Sequence, residues 1–170
     1  MKPLFPSPHS YLVPRTSYLV LVLALALLAA CSQSPQVCIN EICGKDNSTG
    51  DWIELYNAGT ATVSLNGWYL LKTDEYGIDQ TLFEFQNETI PPGGYLVVSR
   101  LADDLERKIS HKKEVGIELV GPNDRTIDAF YRDDEIGESP HPIGGSYARF
   151  PDGNGAWQVA THSTPGASNQ

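Results

Sequence analysis

Short runs of β-branched and aromatic residues, separated by turn-forming residues, constrain this sequence more than any other feature. From Val37 onward most runs are four to seven residues long, and turn chemistry such as Asn66-Gly67 or residues 90–94 ("IPPGG") recurs every 8 to 15 residues. Proline and glycine at this spacing exclude long helices. Seven to nine short strands predict one all-β domain, a β-sandwich. The runs are residues 37–42, 52–57, 63–72, 81–85, 95–100, 115–120, 126–131, 145–150 and 157–160.

The run at residues 51–57, "DWIELYN", predicts which side chains enter the core. Residues two apart in a strand share a face, so Ile53 and Leu55 fall on one side and Glu54 falls on the other, between two aromatic residues. We expect Ile53 and Leu55 to be buried between the sheets. Glu54 is then exposed on the outer face, and its neighbours Trp52 and Tyr56 are available to a ligand.

The N-terminal segment has the pattern of an export signal. Lys2 and Arg15 are the charged residues among the first 30, and residues 18–30 form an apolar run of 13. Such a helix is about 20 Å long, short of the roughly 30 Å hydrocarbon core of a bilayer, so a signal peptide is favoured over a membrane span. The run ends in "LLAAC", which resembles the lipobox of bacterial lipoproteins, in which the cysteine is lipidated and becomes the new N-terminus.

We therefore expect residues 1–30 to be a lipoprotein signal peptide and residues 31–36 to be a lipidated Cys31 with a short tether. Residues 37–170 form the folded domain. Acyl chains such as palmitate on Cys31 would hold the domain on the extracytoplasmic side of the bacterial cell membrane or outer membrane. The five residues after Cys31 reach at most about 17 Å, which keeps the domain near its membrane. An ordinary cleaved signal peptide and an uncleaved anchor remain alternatives.

The charge of the mature chain argues against anionic partners. After Cys31 there are 21 acidic and 10 basic residues, a formal charge of −11. This charge raises the barrier to phosphate backbones and argues against nucleic acid as a partner. One basic patch, residues 107–113 ("RKISHKK"), is interpreted as a solvated connection between strands. The segment 101–113 that contains it could form at most one turn of helix.

Cys38 and Cys43 are the two cysteines that remain in the mature domain. An oxidising compartment and an even count favour a disulfide. In one regular strand, however, cysteines five apart lie on opposite faces with their α-carbons about 16 Å apart, beyond the roughly 7 Å limit. A disulfide between them would require the strand to break, and the sequence leaves that open.

Several motifs, taken in order, resemble those of the lamin tail domain family. The resemblance spans roughly residues 37–169, nearly the whole mature chain. It implies an immunoglobulin-like β-sandwich that serves as an interaction module; bacterial relatives are often attached to nucleases or other hydrolases. The motifs are "INEI" (39–42), "DWIELYN" (51–57), "VSLNGWYL" (63–70), "IPPGGYLVV" (90–98), "SYARFPDG" (146–153), Trp157 and "TPGASN" (164–169).

The recurring residues of these motifs have structural interpretations. Trp68 and Trp157 are large apolar surfaces for the core or its rim. The turn at residues 164–166 could fix the C-terminus back onto the sandwich. Arg149 could pair with Asp152 around the "FPDG" turn or expose its guanidinium to a ligand. Glycines at such turns allow positive φ or close backbone approach; those considered are Gly67, Gly94, Gly153 and Gly166.

No residue pattern in the sequence identifies a catalytic or cofactor site. His111, His141 and His162 are not at the spacing of a nucleophile's base or of zinc ligands, although His141 and His162 could meet in space. The acidic loop at residues 133–138 contains Asp133, Asp134, Glu135 and Glu138; we interpret it as solvated, with an oxygen-ligand cation site as the alternative.

The sequence thus predicts a non-enzymatic protein with Cys31 as its single assigned site and no catalytic, cofactor or metal site. Its function would be that of a lipid-anchored binding or scaffold module with a protein or cell-surface partner. The alternative is an accessory or targeting protein for the hydrolysis of envelope polysaccharide or extracellular DNA.

Overall fold

The computed structural model describes residues 36–44, 50–99, 105, 108–137 and 139–170. The described part contains eleven strands, one short helix and a 3-10 turn at Pro122–Asp124. The elements are β1 Val37–Cys43, β2 Trp52–Asn57, β3 Val63–Ser64, β4 Tyr69–Thr73, β5 Asp79–Glu84, β6 Thr89–Ile90, β7 Tyr95–Ser99, β8 Gly116–Gly121, β9 Arg125–Tyr131, helix α1 Arg132–Glu135, β10 Ser146–Phe150 and β11 Ala156–Ala160.

The strands form two main antiparallel sheets that face each other across one core. The larger sheet has the order β11-β10-β1-β2-β7, and the smaller has the order β5-β4-β8-β9. The short strands β3 and β6 pair separately. Non-sequential neighbours such as β1 and β10 place distant segments side by side, as expected of an immunoglobulin-like sandwich. The predicted fold class is confirmed.

The strand count exceeds the seven to nine predicted because one expected strand is two and because the short β6 was not predicted. Residues 63–72 divide into β3 and β4 around a turn at Asn66-Gly67, where Gly67 adopts φ +77°. The Trp68 N–H donates to the Leu65 carbonyl across this turn at 2.9 Å. The sequence therefore predicted the turn correctly, but it did not predict that the turn separates two strands. The separated β3 needs a partner, and β6 supplies it.

The core face of β2 agrees with the sequence. Ile53 and Leu55 are both fully buried in the hydrophobic cluster between the sheets. Trp157 is 5% exposed and belongs to the same cluster, while Trp68 is half-buried against it, as predicted. The periodicity of a strand is thus sufficient to select the residues that face the core.

The outer face of β2 does not agree with the sequence. Glu54 and Trp52 are completely buried, and Tyr56 is half-buried. The prediction that Glu54 is exposed between accessible aromatic residues was wrong. The C-terminal segment crosses this face and donates the Gly166 N–H to the Glu54 carboxylate. This sheet therefore has a covered patch on its outer side as well.

A bulge in β1 also corrects the predicted placement of the cysteines. Asn40 is an extra residue between the pairs Ile39–Leu55 and Glu41–Glu54. Because of this insertion Cys38 pairs with Tyr56 and Cys43 with Trp52, so both cysteines lie on the same face, not on opposite faces. They remain about four strand residues apart, roughly 13 Å, which prevents a disulfide. Neither forms a disulfide, and both are buried.

The described residues of the segment 101–113 contribute two side chains to the core. Leu105 and Ile109 are 4% and 2% exposed, and the Ile109 N–H donates to the Asp51 carboxylate at 2.6 Å. Residues 101–104, 106 and 107 of this segment, in which a single turn of helix was considered, lie outside the described residues; its described residues contain no helix. Within the described ranges, no helix has the length and apolar character needed to cross a membrane.

Candidate functional site

A buried polar cluster binds the C-terminal segment to β1 and β2. Glu41 accepts hydrogen bonds from the Thr164 N–H at 3.0 Å and from the Thr164 hydroxyl at 3.0 Å. It also accepts one from the Ser146 hydroxyl. Glu54 accepts from Asn40 Nδ2 at 2.9 Å and from the Gly166 N–H at 2.6 Å. The predicted role of the 164–166 turn in fixing the C-terminus is therefore confirmed.

Burial changes the acidity of both carboxylates. It raises the pKa of Glu54 to about 7, against the opposing effect of its two donors. It raises the pKa of Glu41 as well, although the bonds from Ser146 and Thr164 oppose it. A carboxyl with a raised pKa could serve as a general acid. Here each oxygen faces a donor of the same domain, which favours a structural role.

Arg149 pairs with Asp128 and not with Asp152, so the predicted local pair was wrong. Its Nη2 lies 3.1 Å from Asp128 Oδ1, and its Nε donates to the Ile39 carbonyl at 2.9 Å. The guanidinium lies over the Trp157 ring, 4.6 Å from the centroid. Sequence proximity suggested the wrong partner because Arg149 points toward the core side of β10, where β9 brings Asp128.

Asp152 faces inward and joins the C-terminal segment to the sheet. Its Oδ1 accepts from Asn40 Nδ2 at 3.0 Å and from the Asn169 N–H at 3.1 Å. Its Oδ2 accepts from the Tyr95 hydroxyl at 2.7 Å. Burial acts to raise the pKa of Asp152, but these bonds and one from Ser168 hold it below its ordinary value. The carboxylate is consequently charged and fully engaged within the domain.

The histidines do not converge on a site. His141 is 2% exposed; its Nε2 accepts from the Gly44 N–H at 2.9 Å, and burial lowers its pKa. The centroid of the His141 ring lies 4.8 Å from that of the Tyr147 ring and 5.8 Å from that of the His111 ring. His162 is exposed and contacts Thr161. The structure therefore places His141 beside His111. His162 contacts Thr161 instead, so the structure does not show the contact between His141 and His162 that the sequence allowed.

The acidic loop is partly a helix. Asp133, Asp134 and Glu135 lie in α1 and are exposed, whereas Glu138 falls outside the described residues. Asp133 and Asp134 line one side of a small cleft of about 100 Å³. Among the described residues no three His, Cys, Asp or Glu side chains are placed to hold a metal ion.

The cysteines of β1 have the surroundings of unreactive thiols. Cys38 donates to the Tyr56 carbonyl at 3.7 Å, and burial raises the pKa of its thiol to about 12. Cys43 is fully buried. The third cysteine, Cys31, lies outside the described residues, as do the predicted signal peptide and most of the tether.

An ordered β4–β5 hairpin presents two apolar side chains to solvent. Tyr76 is 78% exposed and Ile78 is 54% exposed. One Asp74 oxygen accepts from the Tyr76 N–H at 2.9 Å and from the Ile78 N–H at 3.1 Å. These bonds lower the pKa of Asp74 and close the turn, in which Gly77 has φ +71°. We refer to residues 74–78 as the hairpin tip.

The connection that precedes β8 contacts the hairpin tip through a basic residue. Lys113 forms an ion pair with Glu75, and Lys72 donates to the Lys108 carbonyl at 3.0 Å. The exposed Lys108, Lys112 and Lys113 agree with the predicted solvated patch, apart from the buried Ile109. The result is a surface that combines exposed apolar groups with flanking cations, a composition suited to a protein partner.

The hairpin tip was not predicted, because residues 74–78 lie between the strands that the sequence indicates at residues 63–72 and 81–85. The sequence did contain a signal for this turn. Tyr76 and Ile78 lie on either side of a turn glycine, Gly77, and Asp74 before them can cap the turn. Such a turn orders its apolar residues without burying them.

Comparison with known proteins supports the fold. The family model for the lamin tail domain matches residues 31–134. No curated protein matches the chain significantly.

Two solved structures show a weaker likeness. The archaellum periplasmic stator protein FlaG from Sulfolobus acidocaldarius is 18% identical, with a TM-score of 0.39 over 56% of this chain and 97% of that one. The complex of FlaF and FlaG from the same organism gives 17% identity, a TM-score of 0.39, and coverage of 60% and 92%. The assignment rests on the family model and on the sandwich described above. This chain belongs to the lamin tail domain family.

Proposed function

We propose that this chain is a lipid-anchored bacterial envelope protein whose lamin tail domain is a non-catalytic binding or scaffold module. Residues 1–30 are its signal peptide, residues 31–36 are the lipidated Cys31 and tether, and residues 37–170 are the module. The "LLAAC" pattern after an apolar run of 13 residues supports the anchor and the extracytoplasmic location. The hairpin tip is the surface that contacts the partner.

The single observation that carries the binding role is the ordered exposure of Tyr76 and Ile78. Two large apolar side chains on a turn fixed by Asp74 lose little conformational freedom on binding, which favours affinity. Aromatic residues are frequent energetic centres of protein interfaces. A protein partner with an apolar depression that receives Tyr76 and Ile78 fits this surface best.

The state of the buried carboxylates supports a non-catalytic role. Glu41, Glu54, Asp128 and Asp152 accept hydrogen bonds from the backbone or side chains of the domain itself. A general acid or base needs an oxygen within reach of substrate. Instead, these oxygens accept hydrogen bonds from the C-terminal segment and from neighbouring strands of the domain.

The binding role is tested by capture from envelope extract with the full chain, tagged after the exposed Gln170. A Tyr76→Ser, Ile78→Ser double variant should lose the partner that the wild type retains. Ile143→Ser is the matched control because Ile143 is also 54% exposed but lies in another turn. Equal capture by the wild type and the double variant would refute the hairpin tip as the surface. Capture of polysaccharide or DNA alone would favour the accessory or targeting role.

The anchor is tested separately by replacing Cys31 with serine. The wild type should partition into the membrane fraction and incorporate labelled fatty acid. The Cys31→Ser variant should do neither. Unchanged membrane retention of the variant would contradict lipidation at this residue.

A further inference from the structure

His141 holds the end of β1 through one defined neutral form of its ring. The residue is 2% exposed, and both ring nitrogens have partners. Its Nδ1 lies 2.8 Å from the Pro142 carbonyl oxygen, and its Nε2 lies 2.9 Å from the Gly44 nitrogen. Because a carbonyl oxygen only accepts hydrogen bonds, Nδ1 carries the proton. Because the Gly44 N–H only donates, Nε2 presents its lone pair, and the ring is neutral.

Gly44 lies where the end of β1 packs against the connection that precedes β8. A Cβ at Gly44 would be 2.6 Å from the His111 nitrogen and 2.7 Å from the Ser110 carbonyl oxygen, so only glycine fits this contact without moving the backbone. The Tyr147 hydroxyl donates to the His111 carbonyl at 2.8 Å and accepts from the His141 N–H at 3.3 Å. We call these five residues, Gly44, Ser110, His111, His141 and Tyr147, the β1 joint.

The groups around the His141 ring disfavour a positive charge on it. From its centroid, that of the His111 ring lies 5.8 Å away and that of the Tyr147 ring, on β10, lies 4.8 Å away. Arg132 of α1 also acts on the ring, and both Arg132 and His111 oppose its protonation. Tyr147 is neutral, because burial raises the pKa of its hydroxyl above the ordinary 10.0. The other two elements at the joint, β1 and residues 142–145, present backbone groups to the ring nitrogens.

Protonation of His141 would break its bond to Gly44. The added proton goes to Nε2, because Nδ1 already carries one toward the Pro142 carbonyl. The Nε2–H would then face the Gly44 N–H, donor against donor, and a buried hydrogen bond would become a repulsive contact. The bond from Nδ1 is unaffected, so the ring would stay attached to its own segment and separate from β1.

The direction of the pH dependence follows from proton linkage. Burial, together with His111 and Arg132, lowers the pKa of His141 below its ordinary value of 6.5 while the joint is closed. When the joint opens, the ring reaches water and its pKa returns toward 6.5. The open form therefore binds more protons below that pH. The closed joint is fully favoured above pH 6.5 and is progressively lost as the pH falls toward the lower pKa of the closed form.

We propose that His141 is an acid-sensitive switch that holds Gly44 against residues 110–111 when it is neutral and releases Gly44 when it is protonated. The switch is a property of the fold and does not depend on the partner surface proposed above. It lies close to that surface along the chain, because the connection that it fixes also forms the ion pair of Lys113 with Glu75 at the hairpin tip. Between the two, the Ser110 hydroxyl accepts from the Lys113 N–H at 2.7 Å.

The test follows the Gly44 amide and the His141 ring in the same sample. The full chain, isotopically labelled and held in detergent micelles, is studied by NMR from about pH 7.5 down to about pH 4, a range that includes the titration of histidine. Over the pH range in which the His141 ring gains its proton, the protection of the Gly44 amide against hydrogen exchange should fall by up to about tenfold for each pH unit. The amide of Leu55, in the core of the larger sheet, is the reference and should keep its protection.

Three variants sharpen the test. His141→Gln keeps an acceptor near the Nε2 position but does not titrate, so its Gly44 protection should not change with pH. His111→Gln removes a group that opposes protonation and should move the release of Gly44 to higher pH. His162→Gln, at an exposed position, is the matched control and should behave as the wild type.

The wild type and His111→Gln decide the question even where His141→Gln does not fold. Protonation of the His141 ring while Gly44 stays protected would overturn the proposal. So would a ring that stays neutral throughout the pH range, or a parallel loss of protection at Gly44 and Leu55, which would indicate unfolding of the whole domain.

Discussion

Replacing Glu54 with glutamine should reduce the pH dependence of the domain's stability between pH 4.5 and 7. Glu54 is completely buried beneath the C-terminal segment, and burial raises its pKa from 4.5 to about 7. In the unfolded chain this carboxyl loses its proton near pH 4.5, whereas in the folded domain it keeps the proton up to about pH 7. The folded state therefore binds more protons within this window.

The sign and size of the effect follow from proton linkage. Stability falls with rising pH wherever the folded state binds more protons, so the contribution of Glu54 is fully present below pH 4.5 and is lost as the pH passes through about 7. The difference between the two pKa values corresponds to roughly 3 kcal/mol. Glutamine does not titrate. Its amide would face Asn40 Nδ2, so one hydrogen bond is lost at a pH-independent cost of about 1–3 kcal/mol.

The assay is urea unfolding of residues 32–170, followed by tryptophan fluorescence from about pH 4 to about pH 8. At low pH the Glu54→Gln variant should have a smaller free energy of unfolding than the wild type. As the pH rises, the variant should lose less of that free energy, so the difference between the two proteins should narrow. Glu41 and His141 titrate in both proteins, so subtracting the stability curve of the variant from that of the wild type removes most of their effect. Glu84→Gln, at the exposed end of β5, is the matched control and should parallel the wild type. Parallel curves for Glu54→Gln and the wild type would refute the reasoning.

Three further predictions concern the core, the buried ion pair and the thiols. Leu55→Ala should destabilise the domain by about 2–5 kcal/mol in urea unfolding, because it empties a fully buried site; a change below about 0.5 kcal/mol would contradict its place in the core. Arg149→Met should cost about 3–5 kcal/mol because it leaves Asp128 buried without its cation, and recovery in an Arg149→Met, Asp128→Asn double variant would confirm the pairing. The thiols of Cys38 and Cys43 should react with a disulfide reagent at the rate of unfolding, and fast reaction in native conditions would contradict their burial.

Local sequence signals located most strands and turns because their causes are local. The Asn66-Gly67 pair marked a turn that the structure contains, and Gly67 adopts the positive φ that such a turn requires. The apolar side chains of residues 53 and 55 face the core because alternation is a property of the strand itself. The turn at residues 164–166 was recognised from proline and glycine alone.

Partners brought together by distant segments could not be read from the sequence. Asp152 is three residues from Arg149 and looked like its partner, but the pleat of β10 directs Arg149 toward Asp128 on β9. The bulge at Asn40 placed Cys38 and Cys43 on one face, although a regular strand would have separated them. A single inserted residue reverses every side-chain direction beyond it.

The hairpin tip illustrates the same limit for function. The sequence contained its turn residues, but only the fold decided that Tyr76 and Ile78 would be exposed, since similar apolar residues beside other turns are buried. Leu65, one residue before Asn66-Gly67, is an example, with no exposed surface. Exposure depends on whether another segment covers the turn, and that is a property of the assembled sandwich.

The sequence by itself determined that the chain forms a β-sandwich of the lamin tail type, which residues of its strands enter the core, and where its turns lie. Only the tertiary structure decided that Glu54 and Trp52 are buried. The physical reason is that alternation assigns neighbouring residues to opposite faces but does not specify whether the second face meets water. The C-terminal segment, 112 residues beyond Glu54, covers that face through the Gly166 N–H and turns an expected surface carboxylate into part of the interior.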